Sequence, residues 1–244
     1  MIITNFNHQK IIEGLLDYFD LNSENLLLEE LSEVELYKQL FNKAQIPNID
    51  KLYDYMLNKS DFFTAPASTK FHGNYKGGLA VHSLIVLALL VKKNSDYNLG
   101  LEDSQMIVSA LTHDLCKCNF YVESFRNVKI YEGEDGYKVP SNGRVLSDPK
   151  GNFCWRTEKS FAIEDKFPLG HGNKSLFILM NYIKVDSVVA MLITWHMGVF
   201  ANQADNQYGY NNACDYLPAV CALHTADEEA SMIFEEKRDR DYID

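Results

Sequence analysis

The most apolar run in the chain covers residues 79–91 and carries one histidine, His82. The run is too short to span a bilayer, which takes about 20 consecutive apolar residues. It predicts instead a helix over residues 79–93 that is apolar on nearly every face. Such a helix needs other elements to cover it on all sides. The run therefore favours an all-α domain built around a buried central helix.

Apolar residues recur at helical spacing on both sides of this run. They predict two amphipathic helices between residues 8 and about 42, and a short helix over 49–58. Residues 62–78 contain Gly, Pro and small polar residues and are expected to form an ordered loop. Further helices are expected over 102–117, 171–183, 186–197, with Asp186 as the N-cap, and about 214–236.

The pattern changes between residues 125 and 167, where glycines interrupt the chain and stretches such as VKIY and FCWRTEKSFAI have strand composition. We predict a small β-hairpin insertion at about 125–167. With 244 residues and 46% hydrophobic content, the chain can build one continuous core. One structural domain is therefore expected, with N-terminal helices over 1–60 packed on a larger unit over 61–244.

The charge balance restricts the partners. The chain has 34 acidic and 23 basic residues, for a formal net charge of -11, and this field repels a polyanion over most of the surface. Long nucleic acid is therefore an unlikely partner. A small phosphorylated substrate, such as a nucleotide, is still compatible, because cations and metal in one pocket dominate at short range.

Cysteine usage and the N-terminus bear on the compartment. The five cysteines are odd in number and include no CxxC pair, which favours free thiols in a reducing cytosol. The opening residues MIITNFNHQK lack the charged-then-apolar layout of a secretory signal. A cytoplasmic protein without a membrane segment is expected, and its oligomeric state is left open.

Several histidines and aspartates lie in or beside predicted helices, within apolar contexts such as GGLAVHS, ALTHDLCK and ITWHMG. A single helical histidine is commonly just hydrogen-bonded, and an HD dipeptide often occurs by chance. Polar groups in apolar surroundings need strong partners, however, and metal coordination supplies one. Imidazole and carboxylate together suit one or two divalent ions of Mn, Fe, Ni, Co or Zn, and Asp114 could bridge two. The candidate ligands are His82, His113, Asp114, His171, His196 and Asp227.

The order HGNYKGGLAVHS, HDLCK, GHG, WHM and LHTAD resembles the HD-domain superfamily of metal-dependent phosphohydrolases, over roughly residues 71–231. The resemblance implies an HD-domain helical bundle. It matches His82, His113, Asp114 and Asp227 to the H…HD…D ligand set of that family. His171 and His196 match the extra histidines of its binuclear members, so two metals are expected rather than one.

Neighbouring residues are candidates for contacts with the substrate. Lys117, four residues after His113 on the same helix face, can direct its ammonium to a phosphoryl oxygen, or can simply satisfy the helix end. Lys174 shares a face with His171, and it can bind substrate or be solvated. His72 can act as a proton donor at the pocket mouth or stabilise its loop. His224 can orient Asp227 or bond to a backbone carbonyl.

The function expected from this resemblance is hydrolysis of a phosphate mono- or diester, with nucleotides as the commonest substrates of the family. Metal-bound hydroxide attacks phosphorus, Asp114 and Lys117 act as catalytic residues, and Lys117 offsets charge on the oxygens. The hairpin is expected to set specificity. The same ligands also fit a di-iron oxygenase of the inositol-oxygenase-like branch, for which oxygen uptake discriminates. A non-catalytic HD binding module is the third alternative.

Overall fold

The computed structural model describes residues 6–21, 32–139, 141–200, 206–235 and 242–243. Helices dominate this part of the chain, and one small antiparallel sheet interrupts them. The expected helical architecture with a β insertion is confirmed at this level, whereas membership of the HD fold stays a prediction. The N-terminal half contains α1 (Phe6–Tyr18), α2 (Glu33–Ala44), α3 (Ile49–Asp54), α4 (Gly78–Tyr97) and α5 (Asp103–Thr112).

Helix α4 is the centre of the fold, as its composition predicts. Nearly every residue from Gly78 to Val91 is buried, because α1, α5 and α9 (Ala219–Glu229) pack around it. By length and composition α4 could cross a membrane, but 72% of its most apolar window is buried inside the protein. That degree of burial is typical of a core helix.

The N-terminal helices share this core. Leu15 of α1 and Leu40 of α2 are buried in the same apolar cluster as the residues of α4. Tyr37 is also fully buried and donates its hydroxyl proton to the carbonyl oxygen of Ala80, 3.1 Å away. Residues of the first 60 positions therefore pack directly against the central helix.

Helix α5 is shorter than predicted. A capping box of Glu102 and Gln105 opens it, but it ends at Thr112 instead of continuing to Lys117. Asp114 has φ -106° and ψ 21°, outside the helical region, and a 3₁₀ turn follows over Leu115–Lys117. The break lies at the histidine–aspartate pair, where the chain must turn to aim both side chains at one place.

The C-terminal half adds α6 (His171–Met180), α7 (Ser187–Trp195) and α8 (Asn206–Tyr216) before α9. The Asp186 N-cap is confirmed, since its side chain accepts from the backbone N–H of Val189. A single helix over about 214–236 is wrong. Pro218 separates α8 from α9, because proline cannot donate to the preceding turn. A π turn, Ala230–Phe234, then ends α9.

The sheet insertion begins earlier than the predicted residue 125. Strand β1 (Tyr121–Tyr131) pairs antiparallel with β3 (Gly151–Ile163), from Tyr121 opposite Ile163 to Tyr131 opposite Phe153. Short strands β2 (Leu146–Asp148) and β4 (Tyr242–Ile243) pair with the other edge of β3. The base of the sheet, where β1 starts and β3 ends, therefore lies between the 3₁₀ turn and α6.

Candidate metal centre

The six predicted ligands come from five helices and meet in one buried cluster. His82 lies on α4, and its Nε2 is 3.1 Å from Oδ1 of Asp227 on α9. The same nitrogen is 3.2 Å from Nε2 of His113, at the end of α5. Sequence separations of 31 residues or more are thereby closed by packing around α4.

Asp114 lies at the middle of the cluster and presents its two carboxylate oxygens to different neighbours. Oδ1 is 2.7 Å from Nε2 of His171 and 3.7 Å from Nε2 of His196. Oδ2 is 3.5 Å from Nε2 of His113 and 3.6 Å from Nε2 of His82. The carboxylate therefore divides the imidazoles into two pairs.

His113 and His196 are oriented by the same local device. Each follows the last residue of a helix, and each Nδ1 lies 2.7 Å from the carbonyl oxygen three residues earlier, at Ala110 and Ile193. Carbonyls in the last turn of a helix lack intrahelical partners and can accept these protons. With Nδ1 protonated, the lone pair of Nε2 points into the cluster.

The donor set fits a divalent metal ion. Among the described residues, Nε2 of His196 is buried and has no hydrogen-bond partner, a costly arrangement that a cation would relieve. Neutral imidazoles with carboxylates are the ligands that borderline divalent metals prefer. The buried histidines and aspartates could therefore hold a metal ion.

The surroundings of His113 and His82 shift the pKa values of these two imidazoles in opposite directions. Burial lowers the pKa of His113 to about 4, so this imidazole is neutral at neutral pH and able to ligate. Burial also lowers the pKa of His82, but the carboxylates of Glu235 and Asp227 outweigh it and raise that pKa to about 10. Burial opposes ionisation of Asp114, yet the charge of Lys117 and the hydrogen bond with His171 hold its pKa well below the usual range.

The two predicted substrate-binding lysines have different surroundings. Lys117 reaches the cluster from the 3₁₀ turn, not from a shared helix face as predicted, and its Nζ is 2.6 Å from Oδ2 of Asp114. Lys174 is buried in an ion pair of its own. Its Nζ is 2.6 Å from Oδ1 of Asp165 and 4.9 Å from the ring centre of Phe120.

A cavity of about 340 Å³ opens beside the cluster. Larger cavities of about 500 and 660 Å³ lie at the tip of the sheet and beside α1, but none of the predicted ligands lines them. The residues that line the 340 Å³ cavity therefore identify it as the candidate site. Its lining includes polar His72, Lys117, Tyr121, His171 and Asp227, and apolar Ile163, Met197, Phe200 and Met232.

One contact of the site was not predicted from the sequence. Glu235 contacts Nδ1 of His82, and it falls within the helix predicted over about 214–236, with no sequence pattern to mark it as part of the site. Tyr121 lines the cavity and donates to the carbonyl of Ala67 at 3.3 Å. Nδ1 of His224 lies 2.7 Å from the carbonyl oxygen of His196, the backbone alternative that its sequence position allowed.

No protein-family model matches this chain, and the search of solved structures found no significant match. The resemblance to the HD superfamily therefore stays a prediction that rests on the sequence motifs.

Proposed function

We propose that this protein is a metal-dependent phosphohydrolase of the HD type, which cleaves a phosphate mono- or diester of a small molecule such as a nucleotide. The observation that carries the proposal is the convergence of the six motif residues, with the ring nitrogens of His113 and His196 aimed into the cluster by backbone carbonyls. Chance histidines would not share both a location and an orientation.

Two ions fit the geometry better than one. His82, His113 and Asp227 form one group of mutually close donor atoms on the Oδ2 side of Asp114, and His171 and His196 lie on its Oδ1 side. Because the two oxygens of Asp114 face different imidazoles, this carboxylate would bridge the two ions. His171 would complete the second site.

The remaining residues supply binding and charge. A bound divalent metal lowers the pKa of water and neutralises phosphate charge. Lys117 lines the cavity beside Asp114, where its ammonium stabilises negative charge on the phosphoryl oxygens. The apolar part of the lining can contact the organic part of the ester. His72 also lines the cavity and is placed to donate a proton at its edge.

The test combines metal content with turnover. Wild-type protein purified without chelator should contain near two metal equivalents, and the His171→Ala and His196→Ala variants about one. Hydrolysis of a panel of phosphate esters with Mn²⁺ or Ni²⁺, read as phosphate release from monoesters and as monoester formation from diesters, should be lost, together with metal, in Asp114→Ala.

Unaltered turnover in Asp114→Ala would contradict the proposal. Oxygen uptake by an iron-loaded protein, without hydrolysis of either kind of ester, would favour the oxygenase instead. If the wild-type protein binds no metal, the remaining alternative is a non-catalytic binding module.

A further inference from the structure

Glu235 reaches the central helix from the C-terminal end of α9. After α9, the π turn Ala230–Phe234 redirects the chain, and the N–H of Glu235 donates to the carbonyl oxygen of Ala230 at 3.0 Å. Such turns are frequent at functional sites, where they re-aim the residues around them. Here the turn allows Asp227 and Glu235, from one segment, to approach the same imidazole.

That imidazole, His82, is held at both ring nitrogens. Its Nε2 is 3.1 Å from Oδ1 of Asp227 and faces the cluster, whereas its Nδ1 contacts Oε1 of Glu235. The side chains of His82 and Glu235 both have 0% exposure. When a cation takes the lone pair of Nε2, the buried carboxylate of Glu235 is the acceptor that keeps the remaining ring proton on Nδ1.

The position of His82 explains why a carboxylate is needed there. His113 and His196 follow helix ends, where free carbonyls accept from Nδ1. His82 lies inside α4, where the carbonyl three residues earlier, at Leu79, already accepts from the hydroxyl of Ser83. Carbonyls within a helix are also occupied by its own hydrogen bonds. An acceptor for Nδ1 must therefore come from another element.

We propose that Glu235 is a positioning residue that fixes the tautomer and ring orientation of His82, so that Nε2 is offered to a divalent cation together with His113 and Asp227. This inference rests on the proposed metal centre. A carboxylate behind a ligating histidine holds the ring in place and raises its basicity, and its loss typically weakens metal binding by about 10–100-fold.

The loop before α4 encloses this carboxylate. A Cβ on Gly73, which has φ +54°, would lie 2.8 Å from Oε2 of Glu235. The ring of His72 lies 5.5 Å from that of His82, centre to centre. The close approach of the loop backbone keeps the carboxylate against His82 and leaves it little freedom to turn away.

The test compares Glu235→Gln and Glu235→Ala with Glu229→Gln. The control makes the same carboxylate-to-amide change on the same segment, but it removes the 2.7 Å ion pair with Lys93, away from His82. Metal-free proteins are titrated with Mn²⁺ by calorimetry. Both Glu235 variants should bind about 10–100-fold more weakly than wild type, Glu235→Gln less so than Glu235→Ala, and the control should match wild type.

A second measurement does not depend on metal. Proton–nitrogen NMR of the metal-free protein should show a downfield Nδ1 proton of His82 that is retained in Glu229→Gln and lost in Glu235→Ala. Wild-type Mn²⁺ affinity in both Glu235 variants, with that resonance retained, overturns the inference. Failure of the wild type to bind Mn²⁺ while the resonance depends on Glu235 overturns the proposed function and supports the assigned orientation of His82.

Discussion

Asp114 and Lys117 form the pair of residues on which the proposed hydrolysis depends most. The carboxylate is 2% exposed and the lysine 13% exposed, with 2.6 Å between Oδ2 and Nζ. Burial would lower the pKa of Lys117, but Asp114 raises it, so the ammonium stays charged. A buried ammonium next to a candidate metal-bridging carboxylate is placed to act on phosphate.

Replacing Lys117 with Met should remove that charge while keeping most of the chain length. We expect kcat for phosphate-ester hydrolysis to fall by about 10²-fold, because charge on the transferring group is then unopposed. Metal content should stay near the wild-type value, since no ligand is lost. Steady-state kinetics and elemental analysis on the same preparation check both parts.

Lys174→Met is the matched control. This lysine is also buried and also pairs with an aspartate at 2.6 Å, but that aspartate is Asp165, and Lys174 does not line the candidate cavity. Its loss should lower the melting temperature and leave kcat within about twofold of wild type. Equal losses of kcat in both variants would show that Lys117 acts through stability alone.

Among the secondary-structure elements, most of the helices that contribute a candidate ligand do so near one of their ends. His113 and His196 follow the last residues of α5 and α7, and His171 opens α6. Helix ends leave backbone groups free to orient a side chain. The sheet contributes in another way, because only its base reaches the cavity, through Tyr121 and Ile163.

This arrangement refines the expectation that the insertion sets specificity. Strand β1 has 11 residues, so its far end lies about 30 Å from Tyr121. Ile163→Ala should therefore lower kcat/KM severalfold for esters with large apolar groups and leave small generic esters unaffected. Shortening the connection between β1 and β2 should leave kcat/KM unchanged for both kinds of ester. Kinetics on a matched series of esters would show the difference, and the reverse pattern would place specificity at the tip.

At the scale of the whole molecule, the cluster joins five helices. Their side chains meet across a core that surrounds α4 and extends to the N-terminal helices. An ion bound there holds together elements that are far apart in sequence, and it interacts with the folded chain far more strongly than with the unfolded one.

Removal of metal should consequently lower thermal stability. At a free metal concentration 100 times Kd, binding adds about 2.7 kcal/mol to the free energy of unfolding. For a chain of this size each kcal/mol shifts Tm by about 2–4 °C. Chelator-treated protein should melt about 5–10 °C lower, and Mn²⁺ should restore the loss in wild type but not in Asp114→Ala. Identical melting curves with and without metal would argue against a site between helices.

The helical class, the central buried helix, the β insertion and the six candidate ligands could all be predicted from the sequence. These follow from local patterns: apolar periodicity, glycine-interrupted strand composition, and polar side chains within apolar runs. The Asp186 N-cap could also be predicted from a local pattern, because the two partners of its hydrogen bond are only three residues apart in sequence.

Tertiary structure decided what local pattern cannot encode. The turn at Asp114 that ends α5, the pairing of Lys174 with Asp165 and the contact of Glu235 with His82 each depend on surfaces brought together by packing. Glu235 is 153 residues from His82 in sequence, and nothing near either residue identifies the partner. A carboxylate that follows a helix is normally solvated, and only folding around α4 gives this one a buried imidazole partner.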